Sequence, residues 1–545
     1  MSSTSVAGSL RGAHLLVTGV TGFVGKVWLA MLLDRIPEIG RVTVLVRGRR
    51  GESGRARFVA SVERCPAFRP LRAKYGSRLP DLIAERVRVV EGDVSEPGCG
   101  LDPVVTAEFA GEIDVVVHFA GLTDFDPDPK LAFETNVLGA VHVAGLAART
   151  HGKRLVHVST TFVAGLGSGE VAEQLTVGIS PLGKRFDPHN ELDALRSLCA
   201  RTEERSERGE AAQKRASALG WPNIYTYTKG LGEHLLAAQT NIRTTIARPS
   251  IVECAVDYPF AGWNEGINTS GPLVWLLGSW FRRLPISPKH HFDVIPVDTA
   301  CRGLITIVAR ALTDSAAPIY HLASSDKNPM NFDRAIELTA LAVRKHMGRP
   351  EASALERLVI RYLDPKARSH ADRDPFPTLP SLRKLARGGR DILKRLEPKE
   401  ILPPALYDRY GQELEGKLRT WSQECRNADR MIGRIEEMLR LYKPFIQDND
   451  YVFRTGHIAR LTEELDPAER ALFGFNIDQL DWRRYWVDVE VPGLMKWCIP
   501  LLKNEQVPDD PEPEWNVYPK ARAVAAHSIA GGNGASRMQP PEVSP

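Results

Sequence analysis

Short apolar runs recur through the first 160 residues of the 545-residue chain, at Ala13–Val17, Val42–Val46, Val87–Val90, Ile113–Phe119 and Leu155–Val158. Each is too short for a buried helix and rich in Val, Leu and Ile, the pattern of strands covered on both faces. Between them lie segments with apolar residues at helical spacing, among them Phe23–Ile36 and Leu131–Thr150. Strands alternating with helices predict an α/β protein built on a Rossmann-type doubly wound parallel sheet. A further strand at Ile319–Leu322 closes that sheet, and Asn331–His346 follows as a helix beside it.

The rhythm breaks in two places. Phe186–Gly220 is charged and helical, which predicts an exposed insertion over about 171–220. From Pro350 onward come charged helices with one apolar face, at Leu382–Leu396, Tyr407–Leu418, Met431–Phe445 and Ile458–Leu465. Prolines 375, 377, 380, 398, 403 and 404 punctuate them. The expected organisation is a flexible N-terminus (1–10), an α/β domain (11–348) with a substrate segment at about 250–298, and a mostly helical C-terminal domain (349–505). Trp482, Tyr485, Trp486, Pro492 and Trp497 anchor that last domain, and a disordered Pro-, Gly- and Ser-rich tail fills 506–545. No internal repeat is visible.

Composition adds limits. Hydrophobic residues make up 43% and charged residues 25%, a globular balance, and a net charge of +4 gives no reason to expect nucleic-acid binding. The seven cysteines are scattered without a C-x-x-C pair, which favours reduced thiols in a cytoplasmic protein and offers no metal site. No signal peptide or membrane-length apolar run is present. The densest apolar patch contains Leu273, Val274, Trp275, Leu276, Leu277, Trp280 and Phe281. It suits a substrate tunnel, peripheral membrane contact or ordinary helix core. The sequence defines no oligomeric state.

The first strand runs into LLVTGVTGFVG (Leu15–Gly25), where Gly19, Gly22 and Gly25 fall at G-x-x-G-x-x-G spacing before a helix. Glycine lets backbone approach a pyrophosphate, whose charge the helix N-terminus favours, although such turns also close ordinary strand–helix corners. The second strand ends at Arg47, with Arg49 and Arg50 behind it and no acid between Arg41 and Gly51. At that position an acid would bind a ribose hydroxyl and an arginine accommodates a 2′-phosphate, so NADPH is the expected cofactor. Asp93, in Gly92-Asp93-Val94 after the third strand, is placed to accept from an adenine amino group. Ala120 and Gly121 let backbone pass the cofactor beyond the fourth strand. Asn136 reads either as a bland helix-interior residue or as a carbonyl-holding one beneath the site. The basic stretch Arg47–Arg78, with Arg55, Arg57, Arg64, Arg69, Arg72 and Lys74, reads as a solvated face or as a receiver for coenzyme A phosphates or a carrier protein.

Two further features carry chemistry. The fifth strand ends in Ser159-Thr160-Thr161, hydroxyls at the sheet edge where ligands bind. Tyr225 and Lys229 lie one helical turn apart on one face, where an ammonium stabilises a phenolate otherwise formed near pH 10. Each feature alone is common; their order along the chain is what gives them weight.

With these residues in place the chain resembles an extended short-chain dehydrogenase/reductase and, more narrowly, the fatty acyl-CoA reductases of the bacterial alcohol-forming kind. The resemblance rests on TGVTGFVGK (Thr18–Lys26), LVRGR (Leu45–Arg49), HVSTTFVAG (His157–Gly165), YTYTKGLGE (Tyr225–Glu233), RPSIVE (Arg248–Glu253), PFAGWNEG (Pro259–Gly266) and DVIPVD (Asp293–Asp298). It returns weakly in LDWRRYW and VPGL between Leu480 and Leu494. The family places its catalytic hydroxyl five residues before the glycine, here Gly165. By resemblance, therefore, Thr160, Tyr225 and Lys229 are catalytic, with Ser159 the alternative hydroxyl. The cofactor would meet Thr18, Gly19, Thr21, Gly22, Phe23, Val24, Gly25, Arg47, Arg49, Asp93, Val94, Ala120, Gly121 and Asn136. Tyr225, Lys229, Pro249 and Ile251 would complete that set. HFAG at His118–Gly121 departs from the family's usual run.

The implied activity is NADPH-dependent reduction of a long-chain acyl-CoA or acyl-carrier-protein thioester, through the aldehyde, to the alcohol. Alternatives are release of the aldehyde, an epimerase or sterol-type dehydrogenase on the same scaffold, and a non-enzymatic NADPH-binding scaffold. His321 and Asp326 match an H-x-x-x-x-D acyltransferase spacing by chance, without a supporting glycine block.

Overall fold

A computed structural model describes residues 5–267, 270–277, 283–346, 364–367, 379–401, 403–503 and 505–507. Its centre is a seven-stranded parallel sheet: β1 (His14–Thr18), β2 (Arg41–Val46), β3 (Val87–Glu91), β4 (Val115–His118), β5 (Arg154–Val158), β6 (Arg243–Pro249) and β7 (Ile319–Leu322). The order across the sheet is β3-β2-β1-β4-β5-β6-β7. The five strands read from the first apolar runs, and the closing strand, are all present. β6 escapes that pattern because Arg243, Thr244 and Thr245 interrupt its apolar residues.

Alternation along the strands sorts side chains to two covered faces. Leu15, Val17, Val115 and Val117 point into one core with α1 (Phe23–Arg35). Leu16 and Val116 point into the other with α2 (Gly139–Ala147). α1 is buried from Gly25 to Leu33, so it carries no polar stripe. The strand order reverses between β1 and β4, and their C-terminal ends form the crevice where ligands bind in such sheets.

The insertion is not an exposed appendage. Its helices α3 (Pro188–Arg201) and α4 (Arg205–Leu219) bury Leu192, Leu195, Cys199, Ala212 and Ala216 against Trp221 and Tyr227. Those residues open α5 (Ile224–Ala237), buried from Ile224 to Leu236. Glu191 of α3 takes a hydrogen bond from Tyr227 and pairs with Arg215 of α4 at 2.6 Å. Charge dominates the composition of these helices, and the sparse apolar residues at i, i+3 and i+7 decide their burial.

Residues 5–10, expected to be flexible, also contradict that expectation. Val6–Leu10 forms a short helix with both ends of its apolar pair buried in the main core. Glu469 holds it by accepting from the amides of Val6 and Ala7 at 2.9 and 3.0 Å.

Later helices include α6 (Ser270–Leu277), α7 (Val297–Leu312), α8 (Phe332–His346), α9 (Leu379–Arg395) and α10 (Pro404–Lys443). The expected helices Tyr407–Leu418 and Met431–Phe445 are one 40-residue element, α10, because no Pro falls between them and the lone Gly416 and Gly433 do not break it. The expected domain boundary at 349, the aromatic pair Trp280 and Phe281, and the tail from 508 lie outside the described residues.

The C-terminal segment is bound into the α/β body. Asp450–Phe453 pairs in parallel with Ser168–Val171 from the insertion. Phe473, Phe475, Ile477 and Trp497 join the sheet's main core, and fully burying such a side chain contributes about 1.5–3 kcal/mol. Tyr485 and Trp486 are fully buried in a second core with Val294 and Cys254. Among the described residues no helix is long and apolar enough to cross a membrane.

Candidate active site

The site forms where β1, β4 and β5 end and α1 and α5 begin. Asn223 starts α5: its side-chain oxygen accepts from the Thr226 amide at 2.8 Å, satisfying one of the unpaired amides of the first turn. This cap sets the rotation of the helix, so Tyr225 and Lys229 face the strand ends. The Tyr225 phenol lies beside the Thr160 hydroxyl, which lowers its pKa against the larger effect of burial. Thr160 is held in turn by the Phe162 amide, which donates to its oxygen at 3.3 Å. The Ser159 hydroxyl is buried and has no hydrogen-bond partner, so Thr160 and not Ser159 meets the tyrosine.

Lys229 Nζ donates to the Val158 carbonyl at 3.2 Å at the end of β5. A Cβ on residue 121 would stand 2.6 Å from that nitrogen, which explains the glycine there. Burial lowers the Lys229 pKa to about 8, with Glu233 opposing. Burial pushes the Tyr225 phenol up to about 12, against the effect of Thr160. Beneath them His118 and His157 lie with ring centroids 5.1 Å apart, both buried. Burial and the nearby Lys229 charge keep both imidazoles neutral, His118 at about 3.

Asn136 is a loop clamp. Its side-chain oxygen accepts from the Leu122 amide at 2.8 Å, and its nitrogen donates to the Leu122 carbonyl and to Thr228 at 3.1 Å. The carbonyl-holding reading fits this geometry, with the carbonyl that of Leu122 just beyond Gly121.

At the other end of the crevice, Gly19 has φ +76° and a Cβ there would overlap the Ala120 amide. A Cβ on Gly25 would stand 2.5 Å from the Gly19 carbonyl. Two glycines are therefore required for the turn itself. No side chain caps α1 at Gly22, which leaves its first amides for an anion. Thr18 faces inward, its hydroxyl 2.7 Å from His118 Nδ1 and accepting from the Ala120 amide at 3.3 Å, so it sets the strand ends. Phe23 packs on Trp263 at 5.3 Å, joining the turn to the 259–266 segment. Val94 is buried against Gly139.

Arg47 lies 3.3 Å from Asp93, whose other oxygen accepts from Ser95. Arg57, missed as a site residue, donates to the Arg47 carbonyl at 2.8 Å and reaches the Thr21 hydroxyl at 3.4 Å. Burial, then Arg49 and Arg47, lower its pKa, the signature of cations gathered without enough acid between them. A dinucleotide with a further phosphate fits this cluster and the uncapped turn. Elsewhere in the basic stretch Arg55 pairs with Glu63, Lys74 with Asp34, and Arg72 donates to the Glu63 and Cys65 carbonyls.

The apparent motif residues beyond the crevice are joints. Arg248 pairs with Glu233 of α5 at 2.5 Å, both buried, and so fixes the catalytic helix to β6. Asp298 accepts from the amides of Val256, Asp257 and Tyr258. His321 and Asp326 bind Arg454 and Thr455, tying β7 to the C-terminal segment. Pro249 ends β6 beside Leu322, whereas Ile251, expected at the cofactor, lines an apolar space with Phe162 and Phe292.

That space has a lid no local pattern marks. Phe125 stands 5.7 Å from Tyr225, 5.2 Å from Tyr442 and 5.1 Å from Phe445. Phe162 stands 5.1 Å from Phe445. The end of α10 thus packs on Phe125, which in turn packs on Tyr225.

A glycine turn, a strand-end hydroxyl and a Tyr-x-x-x-Lys helix on a doubly wound parallel sheet define an extended short-chain dehydrogenase/reductase. Residues 17–304 match the NAD-binding region of the male sterility protein family, and residues 404–500 match a second region of it. The chain belongs to that family. It is 27% identical over 516 residues to a probable fatty acyl-CoA reductase 4 of Arabidopsis thaliana, covering 90% of this chain and 98% of the relative. It is 27% identical over 526 residues to an alcohol-forming fatty acyl-CoA reductase of Simmondsia chinensis, covering 91% and 99%. In fold it is similar to a thiolation-reductase di-domain of an archaeal non-ribosomal peptide synthetase, with 13% identity, 92% and 80% coverage and a TM-score of 0.50.

Proposed function

We propose that this protein reduces a long-chain fatty acyl thioester, carried on coenzyme A or a carrier protein, through the aldehyde to the alcohol, with NADPH as the reductant. The observation that carries this reading is Tyr225 beside Thr160, one turn from buried Lys229, with a space rich in aromatic residues that begins at Phe162, two residues on from Thr160. The similarity to acyl-CoA reductases over nine-tenths of the chain supports the same substrate class.

NADPH, bound along the glycine turn with its extra phosphate toward Arg47, Arg49 and Arg57, supplies hydride to the carbonyl carbon. Thr18, Val24, Asp93, Val94, Ala120, Gly121 and Pro249 frame the rest of its path. Tyr225 and Thr160 donate hydrogen bonds to the carbonyl oxygen as charge gathers on it, a stabilisation set in place before the reaction. Collapse of the resulting alkoxide expels the thiolate and leaves an aldehyde. In a second reduction Tyr225 gives its proton to the alkoxide, and the Lys229 cation stabilises the phenolate left behind. No cysteine takes part.

The test follows NADPH absorbance after palmitoyl-CoA is added to the wild type and to Tyr225→Phe. Oxidation by the wild type and a loss of about 10²–10⁴-fold in the variant, with NADPH binding kept, is expected. Equal rates in the two proteins contradict the role of Tyr225.

A further inference from the structure

A cavity enclosing about 490 Å³, its mouth included, lies between α6, α8 and the end of α10, and nothing in the reading above uses it. Its wall is apolar: Leu273 and Leu276 from α6, Ile286, Phe292, and Ile435 and Leu439 from α10. This is the lining of a site for an apolar ligand. Two sets of contacts link the cavity to the reacting groups. Tyr442 borders it and also meets Phe125, which meets Tyr225. Phe292, Phe332 and Ile446 border both this cavity and the neighbouring one beside Phe162. The neighbouring cavity keeps polar wall residues, His291, Asp293 and Asn449, and reaches Phe162, two residues beyond Thr160. Polarity therefore falls with distance from the hydroxyl pair, as it does along a thioester with an alkyl tail.

We infer that this cavity holds the acyl chain of the substrate, and that α10 measures its length. Along α10 the residues Tyr442, Leu439 and Ile435 step away from the catalytic tyrosine by about 1.5 Å per residue, so that Ile435 is about 10 Å deeper than Tyr442. A methylene chain entering past Phe445 meets Leu439 midway and Ile435 near the blind end. The C-terminal segment thus forms the wall against which chains of different length are told apart. Each methylene buried in such a wall is worth up to roughly 10–200-fold in discrimination.

The inference rests on the acyl-thioester reading, and the experiment separates the two. kcat/KM is measured for octanoyl-, dodecanoyl- and hexadecanoyl-CoA with the wild type, Leu439→Trp and Ile435→Ala, alongside NADPH affinity and the thermal midpoint. Leu439→Trp is expected to lower the hexadecanoyl-to-octanoyl ratio by about tenfold or more, and Ile435→Ala to move the optimum to longer chains. If no acyl thioester is reduced by the wild type, the acyl reading itself fails. If the wild type reduces them and both variants keep its length profile, the cavity does not hold the chain. Should Leu439→Trp fail to fold, the direction of the Ile435→Ala shift decides alone.

Discussion

Tyr225 is buried and its phenol resists ionisation, while Lys229, one turn on, gives up its proton unusually easily. Burial is the main cause of both shifts. The pair works as a unit only while the lysine is charged, which it is below its pKa of about 8. Turnover is therefore expected to fall as pH rises through about 8. Lys229→Arg, whose guanidinium stays charged past pH 12, is expected to move that alkaline limb upward even where its maximal rate is lower. An unchanged limb in a pH–kcat/KM profile would assign it to another group. At this scale the sequence was most legible. Tyr225 and Lys229 need only helical spacing, the glycine turn only a strand and helix around it, while the choice of Thr160 over Ser159 came from the family resemblance. Arg57 and Phe125 were not legible, because their partners lie on other elements and nothing in their neighbourhood marks them.

At the scale of elements, the same physics that marked the strands concealed the joints between them. Five apolar runs gave five strands, yet the RPSIVE motif serves two ends at once. Arg248 locks α5 through Glu233, and Glu253 meets Glu490 of the C-terminal segment in a fully buried carboxyl pair. Glu490 also accepts from the Cys254 amide at 3.1 Å and from Tyr485 at 2.8 Å. Burial raises both carboxyl pKa values, and the mutual charge raises that of Glu253 further. The folded protein thus holds protons that the unfolded chain surrenders above its ordinary value of 4.5. Stability from this pair is fully present below that pH and declines as pH rises toward the raised values. Glu490→Gln is expected to flatten that decline. In urea unfolding at about pH 5 and about pH 8, the variant should lose less stability than the wild type between the two. A parallel slope would mean the pair is not proton-linked to folding.

Taken whole, the molecule uses its C-terminal segment as part of one body. Residues far apart in sequence complete the main core, extend a strand pair next to the insertion and, through α10, pack on the Phe125 that meets Tyr225. The amphipathic faces in that segment announced helices but not their destination, since a stripe of leucines does not name the surface it meets. The insertion misled for the opposite reason: its charge hid the few apolar residues that dock it on α5. What the fold achieves is a water-poor space with a fixed hydroxyl pair at one end and a cofactor crevice alongside. The central claim is that one such site carries an acyl thioester through two reductions. It is tested most directly by supplying palmitoyl-CoA with excess NADPH, then measuring NADPH consumed per free coenzyme A released while identifying the products. The account predicts about two NADPH per coenzyme A, one hydride for each reduction, with hexadecanol as the product. One NADPH per coenzyme A with hexadecanal accumulating, or no oxidation with any acyl thioester, would contradict it.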